Sequence, residues 1–245
     1  MSVSQAQCVL DLDLDFFLSD CCPMADLGKR PAREACSPWP EEAVRAFLEQ
    51  NCGLSRMRPI PGRIFPTHDL ALDFWREHLL QGTLRAPFHV THVDAHSDLG
   101  IAPPRATYVE ASVLCQTPAA RDTLSRYRRE GQLTEANYLL FAMAFRWICH
   151  LDNVRNPRSR ADIPEELLAQ NSSAEHMSLL LRQPFPQLFS ALHGPEPEIP
   201  FAVYHDYREF RCSAPFSLVS LAMSPRYVPK EADFLSEIIS EYMCL

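Results

Sequence analysis

Between Val9 and Phe17 the chain alternates without a break. Leu10, Leu12 and Leu14 fall on one side, Asp11, Asp13 and Asp15 on the other, and the run closes on Phe16-Phe17. A period of two is that of a β-strand. This strand constrains the fold more than any other feature, because its apolar face must enter a core while its other face carries three mutually repelling carboxylates. A solvated edge strand would relieve the repulsion, but the leucines and phenylalanines argue for burial. Buried carboxylates need a compensating cation, and metal binding is the reading that supplies one.

The rest of the chain alternates strand-like and helix-like stretches. Arg63 to Pro66 reads as a short strand end, and Asp69 to Leu80 as a helix with Leu70, Phe74 and His78 on one stripe. Phe88 to Val93 is a compact β-rich run stopping at Asp94, followed by a loop with Pro103-Pro104. Glu41 to Gln50, Ala119 to Glu130, Glu135 to Ala144 and Glu231 to Tyr242 carry helical spacing, as does Leu179 to Leu192 despite Pro184 and Pro186. Trp147 to Leu151, Phe201 to Tyr204 and Phe216 to Ala222 read as strands. Cys21 to Pro40 reads as a loop and Asn156 to Ser173 as a polar surface excursion. Such alternation predicts an α/β fold with a mostly parallel central sheet covered on both faces. Neither a repeat nor a linker divides it, so residues 1–245 are expected to form one domain.

Composition narrows the function. A net charge of −8 argues against nucleic-acid binding, which needs clustered Lys and Arg, and is compatible with a cationic substrate. No stretch approaches the ~20 apolar residues that cross a bilayer. Met1 to Leu10 has no basic region preceding an apolar one, so a cytoplasmic protein is expected. The nine cysteines are scattered with no CxxC pair, which favours free thiols over a disulfide framework or a zinc ribbon.

The sharpest motif is His92-Val93-Asp94-Ala95-His96-Ser97-Asp98. Asp, His and Asp at alternate positions after an apolar strand can converge on one point, and carboxylates with imidazole suit divalent transition metals. A polar loop whose Asp caps the next helix is the plainer alternative, but beside a buried strand it would leave charges uncompensated. Pro66-Thr67-His68-Asp69 places another histidine at a strand-to-helix junction. In parallel sheets ligands sit beyond the carboxyl ends of strands, which is where all three motifs fall.

The segment Val93 to Asp98 is similar to the Asp-Ala-His-x-Asp signature of arginases, agmatinases and related ureohydrolases, and Asp13-Leu14-Asp15-Phe16-Phe17 resembles their Asp-x-Asp strand motif. His68 stands where their first metal-binding histidine falls. The resemblance implies a three-layer arginase/deacetylase-like fold and a two-metal centre of Asp13, Asp15, His68, Asp94, His96 and Asp98, with Asp94 and Asp13 as candidate bridging ligands. Here the Asp-x-Asp strand opens the chain, whereas in ordinary arginases it follows the signature, so the chain resembles a circular permutation of them. Together with Asn137-Tyr138 and Leu221-Ala222-Met223-Ser224-Pro225, this order is similar to the peptide arginases, which convert arginine side chains of a precursor peptide to ornithine. The ligand frame on the first strand stays open between Asp13/Asp15 and Asp11/Asp13.

Four carboxylates balance two dications, and such ions usually stand about 3.5–4 Å apart, where they acidify a shared water. Oxygen-rich ligation favours two Mn2+ ions in function. The resemblance implies attack on a guanidinium carbon, releasing urea from an arginine-containing precursor peptide or a small guanidino compound. It places Glu110 where arginases keep a proton-shuttling histidine and Glu209 where they keep a guanidinium-binding glutamate. His205 or Glu110 would protonate the leaving amine. His78, His89, His150, His176 and His193 have no ligand-like spacing and read as surface or hydrogen-bonded residues, and His92 as a supporting neighbour of the motif. The alternatives are a metal-dependent amidohydrolase or deacetylase acting on acylated amines, and a metal-binding adaptor without turnover. An aspartyl-phosphate phosphohydrolase would leave Asp94, His96 and Asp98 unexplained. The sequence does not specify oligomeric state and is compatible with a homo-oligomer.

Overall fold

The structure, a computed structural model, describes residues 6–102, 105–173 and 176–245. The expected Pro103-Pro104 loop position lies outside the described residues. In chain order the elements are β1 (Cys8–Asp13), α1 (Glu41–Ala46), β2 (Ile60–Phe65), α2 (Ala71–Gln81), β3 (Phe88–Asp94), α3 (Ala106–Tyr108), α4 (Leu124–Arg129) and α5 (Tyr138–Ala144). They continue with β4 (Ile148–Arg155), β5 (Met177–Leu179), α6 (Pro186–His193), β6 (Ile199–Tyr204), β7 (Phe216–Ala222), α7 (Phe234–Ser240) and β8 (Met243–Cys244).

Among the described residues the strands form one sheet in the order β5-β6-β4-β3-β1-β7-β2-β8. Each neighbouring pair is parallel except β5 with β6. β1 is central, with Leu10 opposite Thr91 on one side and Val219 on the other. A central parallel strand is buried on both faces, and the two faces of β1 meet different cores. Val9 joins Leu72, Trp75, Tyr138 and Phe141 of α2 and α5 in one cluster. Leu10 and Leu12 join Val44 of α1 and Leu235, Ile238 and Ile239 of α7 in the other. Helices, sheet and helices make three layers, so the α/β fold with a mostly parallel sheet is as expected. Among the described residues, no helix is long and apolar enough to cross a membrane.

The departures from the sequence reading have local causes. The alternating strand stops at Asp13, whose side chain accepts a 2.9 Å hydrogen bond from the Asp15 amide and caps a 3-10 turn over Leu14–Phe17. That turn breaks the alternation and lets both Leu14 and Asp15 be buried. β4 runs past Leu151 to Arg155, because pairing with β3 and β6 on its two sides carries the polar residues along. The helical spacing over Leu179 to Leu192 fails at its start. Leu179 ends antiparallel β5, and the helix begins at Pro186, a residue that suits a first turn because its missing N–H costs nothing there. Asn156 to Ser173 is less peripheral than expected, since Asn156 is buried and its side chain donates to the carbonyls of Phe16 and Leu18.

The loop over residues 21–40 folds back on the end of β1. Trp39 Nε1 donates to the Leu18 carbonyl and the Ser19 amide to the Ser37 carbonyl. This return brings Cys22 and Cys36 to a Cα separation of 6.0 Å, and they are disulfide-bonded, which corrects the expectation of free thiols throughout. The other seven cysteines are free.

Candidate metal centre

Parallel strands end on one edge of the sheet, so residues closing adjacent strands become neighbours. Asp13 closes β1 and Asp94 closes β3 beside it. His68 opens the turn after β2, and Ser224 follows β7. His96 and Asp98 lie on the loop leaving β3. Asp13, Asp15, His68, Asp94, His96 and Asp98 thereby line one narrow pocket. All are buried except His96, whose side chain is 26% exposed.

Within the pocket the six side chains divide into two groups that share Asp94. His68 Nδ1 lies 3.1 Å from Asp94 Oδ2, 3.2 Å from Asp13 Oδ2 and 3.3 Å from Asp98 Oδ2. His96 Nδ1 lies 3.0 Å from Asp15 Oδ2 and 3.5 Å from Asp94 Oδ1. One ring nitrogen carries at most one proton, so hydrogen bonding cannot satisfy three carboxylate oxygens around His68 Nδ1. Coordination can. A divalent ion bound at about 2.1 Å in six-coordinate geometry spaces neighbouring donor atoms by about 3.0 Å. Asp13, His68 and Asp94 form one group able to hold an ion, and Asp15, Asp94 and His96 form a second. The donor set therefore fits two divalent cations, with the Asp94 carboxylate presenting one oxygen to each group.

The electrostatics point the same way. Burial pushes the Asp15 carboxyl well above its ordinary range, and the charges of Asp13 and Asp94 add to this. Burial and Asp94 raise Asp98 to about 6. Burial would also raise Asp94, but hydrogen bonds from His68 and His96 outweigh it and hold this carboxyl well below its ordinary range. For His68 burial favours the neutral ring, yet Asp11, Asp13 and Asp94 push it well above the usual imidazole range. Carboxyls driven to hold protons, and carboxylates that drive protons onto imidazoles, mark an excess of buried negative charge that bound cations would balance.

Asp11, the third carboxylate of the strand, lies deeper. Ser220 Oγ donates to its Oδ1 at 2.6 Å, and Tyr138 OH donates to its Oδ2. His92 Nδ1 and His68 Nε2 each lie 3.2 Å from that same Oδ2. His68 Nε2 nonetheless has no well-formed hydrogen bond, so the ring's contact with Asp11 is bent. Asp13 and Asp15 thus face the pocket, while Asp11 backs His68 from behind, as carboxylates that orient metal-binding histidines commonly do. Backbone conformation also marks the site. Asp98 at φ 51° and Ser224 at φ 41° are non-glycine residues in the left-handed region, and Ser224 Oγ donates to Asp13 Oδ2. Such strain persists where surrounding contacts fix it, and functional sites are where it collects. Asp162 fixes the loop leaving β3, accepting from the Ser97 amide at 2.9 Å.

The three sequence candidates for acid–base and guanidinium roles are not brought to this pocket. Glu110 Oε1 accepts from the Arg182 amide at 2.7 Å, and His205 and Glu209 are exposed around a short turn after β6. Glu135 and Tyr227 line the pocket instead. Burial and the charge of Asp13 raise the Glu135 carboxyl, and the Tyr227 ring lies 5.0 Å from that of His96. Glu135 precedes the Asn137-Tyr138 pair by two residues, a proximity that gave no signal without the fold. The pocket adjoins a cleft of about 430 Å3 that shares His96 and Ile101 with it and runs between residues 20–23 and 158–162. Arg158 and Arg160 are exposed on its wall. No family model matches the chain, and no curated protein matches it.

Proposed function

We propose that this chain is a two-metal hydrolase of guanidinium groups, acting with manganese on arginine side chains of a precursor peptide and releasing urea to leave ornithine. The observation that carries this reading is the division of the Asp94 carboxylate, Oδ2 toward His68 and Oδ1 toward His96, each histidine with its own aspartate partner. Two ions in those places supply Lewis acidity and an activated water at neutral pH. A single ion, as a deacetylase would use, needs only one of the two groups.

In the reaction, a water oxygen bonds to the guanidinium carbon, the bond from that carbon to the side-chain nitrogen breaks, and the departing nitrogen takes up a proton. Glu135, which lines the pocket, would act on that nitrogen. Its raised carboxyl can hold the proton, and as a carboxylate it can hold the planar cation by paired hydrogen bonds. The adjoining cleft gives an extended substrate a path to the pocket past His96. Arg158 and Arg160 favour acidic groups flanking the target arginine.

Urea release from manganese-loaded protein, comparing free arginine with arginine-containing peptides, tests the proposal. Urea from peptides, abolished in Asp94→Ala, is the expected result. Bound metal without urea from either substrate would favour the deacetylase or adaptor reading.

A further inference from the structure

On the opposite face of the sheet from the pocket, and five residues back along β3, lies a second group of metal-binding side chains. His89 on β3 pairs in register with His150 on β4, and Asp152 follows two residues later on the same face of β4. The histidine rings stand 4.3 Å apart between centroids. Asp152 Oδ2 lies 2.8 Å from His89 Nε2, and Asp152 Oδ1 lies 3.1 Å from His150 Nε2. Sequence gave these histidines no ligand-like spacing, because 61 residues separate two side chains that only strand pairing makes neighbours.

We propose that His89, His150 and Asp152 form a separate Zn2+ site, independent of the pocket at the strand ends. One donor atom from each lies within 4.8 Å of the other two. A tetrahedral zinc at about 2.1 Å from each ligand would space its donors about 3.4 Å apart, so small side-chain rotations admit the ion. Two imidazoles with one carboxylate are a borderline-soft set that suits zinc, and three protein ligands leave a fourth position for water. The group opens outward on the His150 side, whose side chain is 37% exposed against 9% for Asp152. Cys8 Sγ lies 3.9 Å from His89 Nδ1, the ring nitrogen turned away from Asp152. A thiol sulfur there can accept a hydrogen bond from Nδ1–H, the tautomer that a ring binding metal through Nε2 would adopt. Among the described ion pairs of Asp152 neither lysine nor arginine appears, so its charge is balanced by these two rings or by an ion between them.

The test is zinc counting on the 245-residue chain, stripped of metal, dialysed against Zn2+ and analysed by mass spectrometry. His150→Gln and His89→Gln should each bind about one Zn2+ per chain fewer than the unsubstituted protein. The same deficit should appear in an Asp94→Asn background, where the strand-end pocket is already impaired. An unchanged count in both histidine variants, with circular dichroism showing the fold retained, would overturn the proposal. Imidazole nitrogen spectra of the unsubstituted chain give a readout that needs no variant. Nε2 resonances of His89 and His150 should shift on zinc addition, and rings that ignore zinc would overturn the site equally.

Discussion

Asp11 supports the pocket from behind His68 and Glu135 lines it, so substitutions at the two should have different effects. Asp11 backs His68 without facing the pocket, so Asp11→Asn should keep both ion positions but weaken metal binding by about 10- to 100-fold. Manganese titration against the unsubstituted protein reads this directly, and equal affinities would remove Asp11 from the support of the site. Glu135→Gln should leave the metal count unchanged and lower kcat for urea release by about 10²- to 10⁴-fold, the usual range for loss of a positioned proton donor. At this scale the sequence was informative where polar residues follow strand ends. Asp13, Asp15, His68, Asp94, His96 and Asp98 converge as the motifs implied. It was silent on Glu135 and Tyr227, which reach the pocket from loops far apart in the chain. It pointed to Glu110, His205 and Glu209 by their order along the chain, which carries no information about where a loop folds.

Among the elements, the loop leaving β3 has the most exacting backbone. Gly100 sits at φ +82°, its amide donates to the Ala136 carbonyl at 2.9 Å, and a Cβ there would approach Leu140 Cδ1 to 3.0 Å. Gly100→Ala should therefore destabilise the protein by about 1–3 kcal/mol, measured by denaturant unfolding, and reduce metal retention by disturbing nearby Asp98. Unaltered stability and metal content would mean that the loop adapts freely. Element type was legible where periodicity was long, as in β1, α2 and β3. It was less so where tertiary pairing decided the outcome. β4 extends past Leu151 through Asp152 and Asn153 to Arg155 because its neighbours pair with it, and Leu179, where spacing suggested the start of a helix, ends β5.

Across the whole molecule, a buried ion pair ties the end of α5 to segments distant in the chain. Arg121 is fully buried, and its guanidinium donates to Glu196 Oε1 at 2.8 Å and Oε2 at 3.0 Å, as well as to the Ala144 carbonyl at the end of α5. Glu196→Gln leaves that guanidinium without its counter-charge and should cost about 3 kcal/mol. Burial would raise the Glu196 carboxyl, but Arg121 and Arg146 outweigh it and hold the group below its ordinary range. A carboxyl with a depressed folded-state pKa stabilises above its unfolded value of about 4.3, and that stabilisation is lost as pH falls through the lower folded value. The stability gap between the unsubstituted protein and Glu196→Gln should thus be full near neutrality and close in acid. A gap constant down to acid pH would contradict the assignment. The layered α/β fold was legible as a whole because strand and helix periods alternate. The Cys22–Cys36 link was not, since spacing along a loop does not show that the loop folds back.

In the proposed two-metal centre, both ions lie in the strand-end pocket and share Asp94. Anomalous diffraction from crystals of the manganese-loaded protein tests it most directly. Two peaks about 3.5–4 Å apart are expected, one beside His68 and one beside His96, with the Asp94 carboxylate between them. A single peak, or peaks away from these histidines, would contradict it.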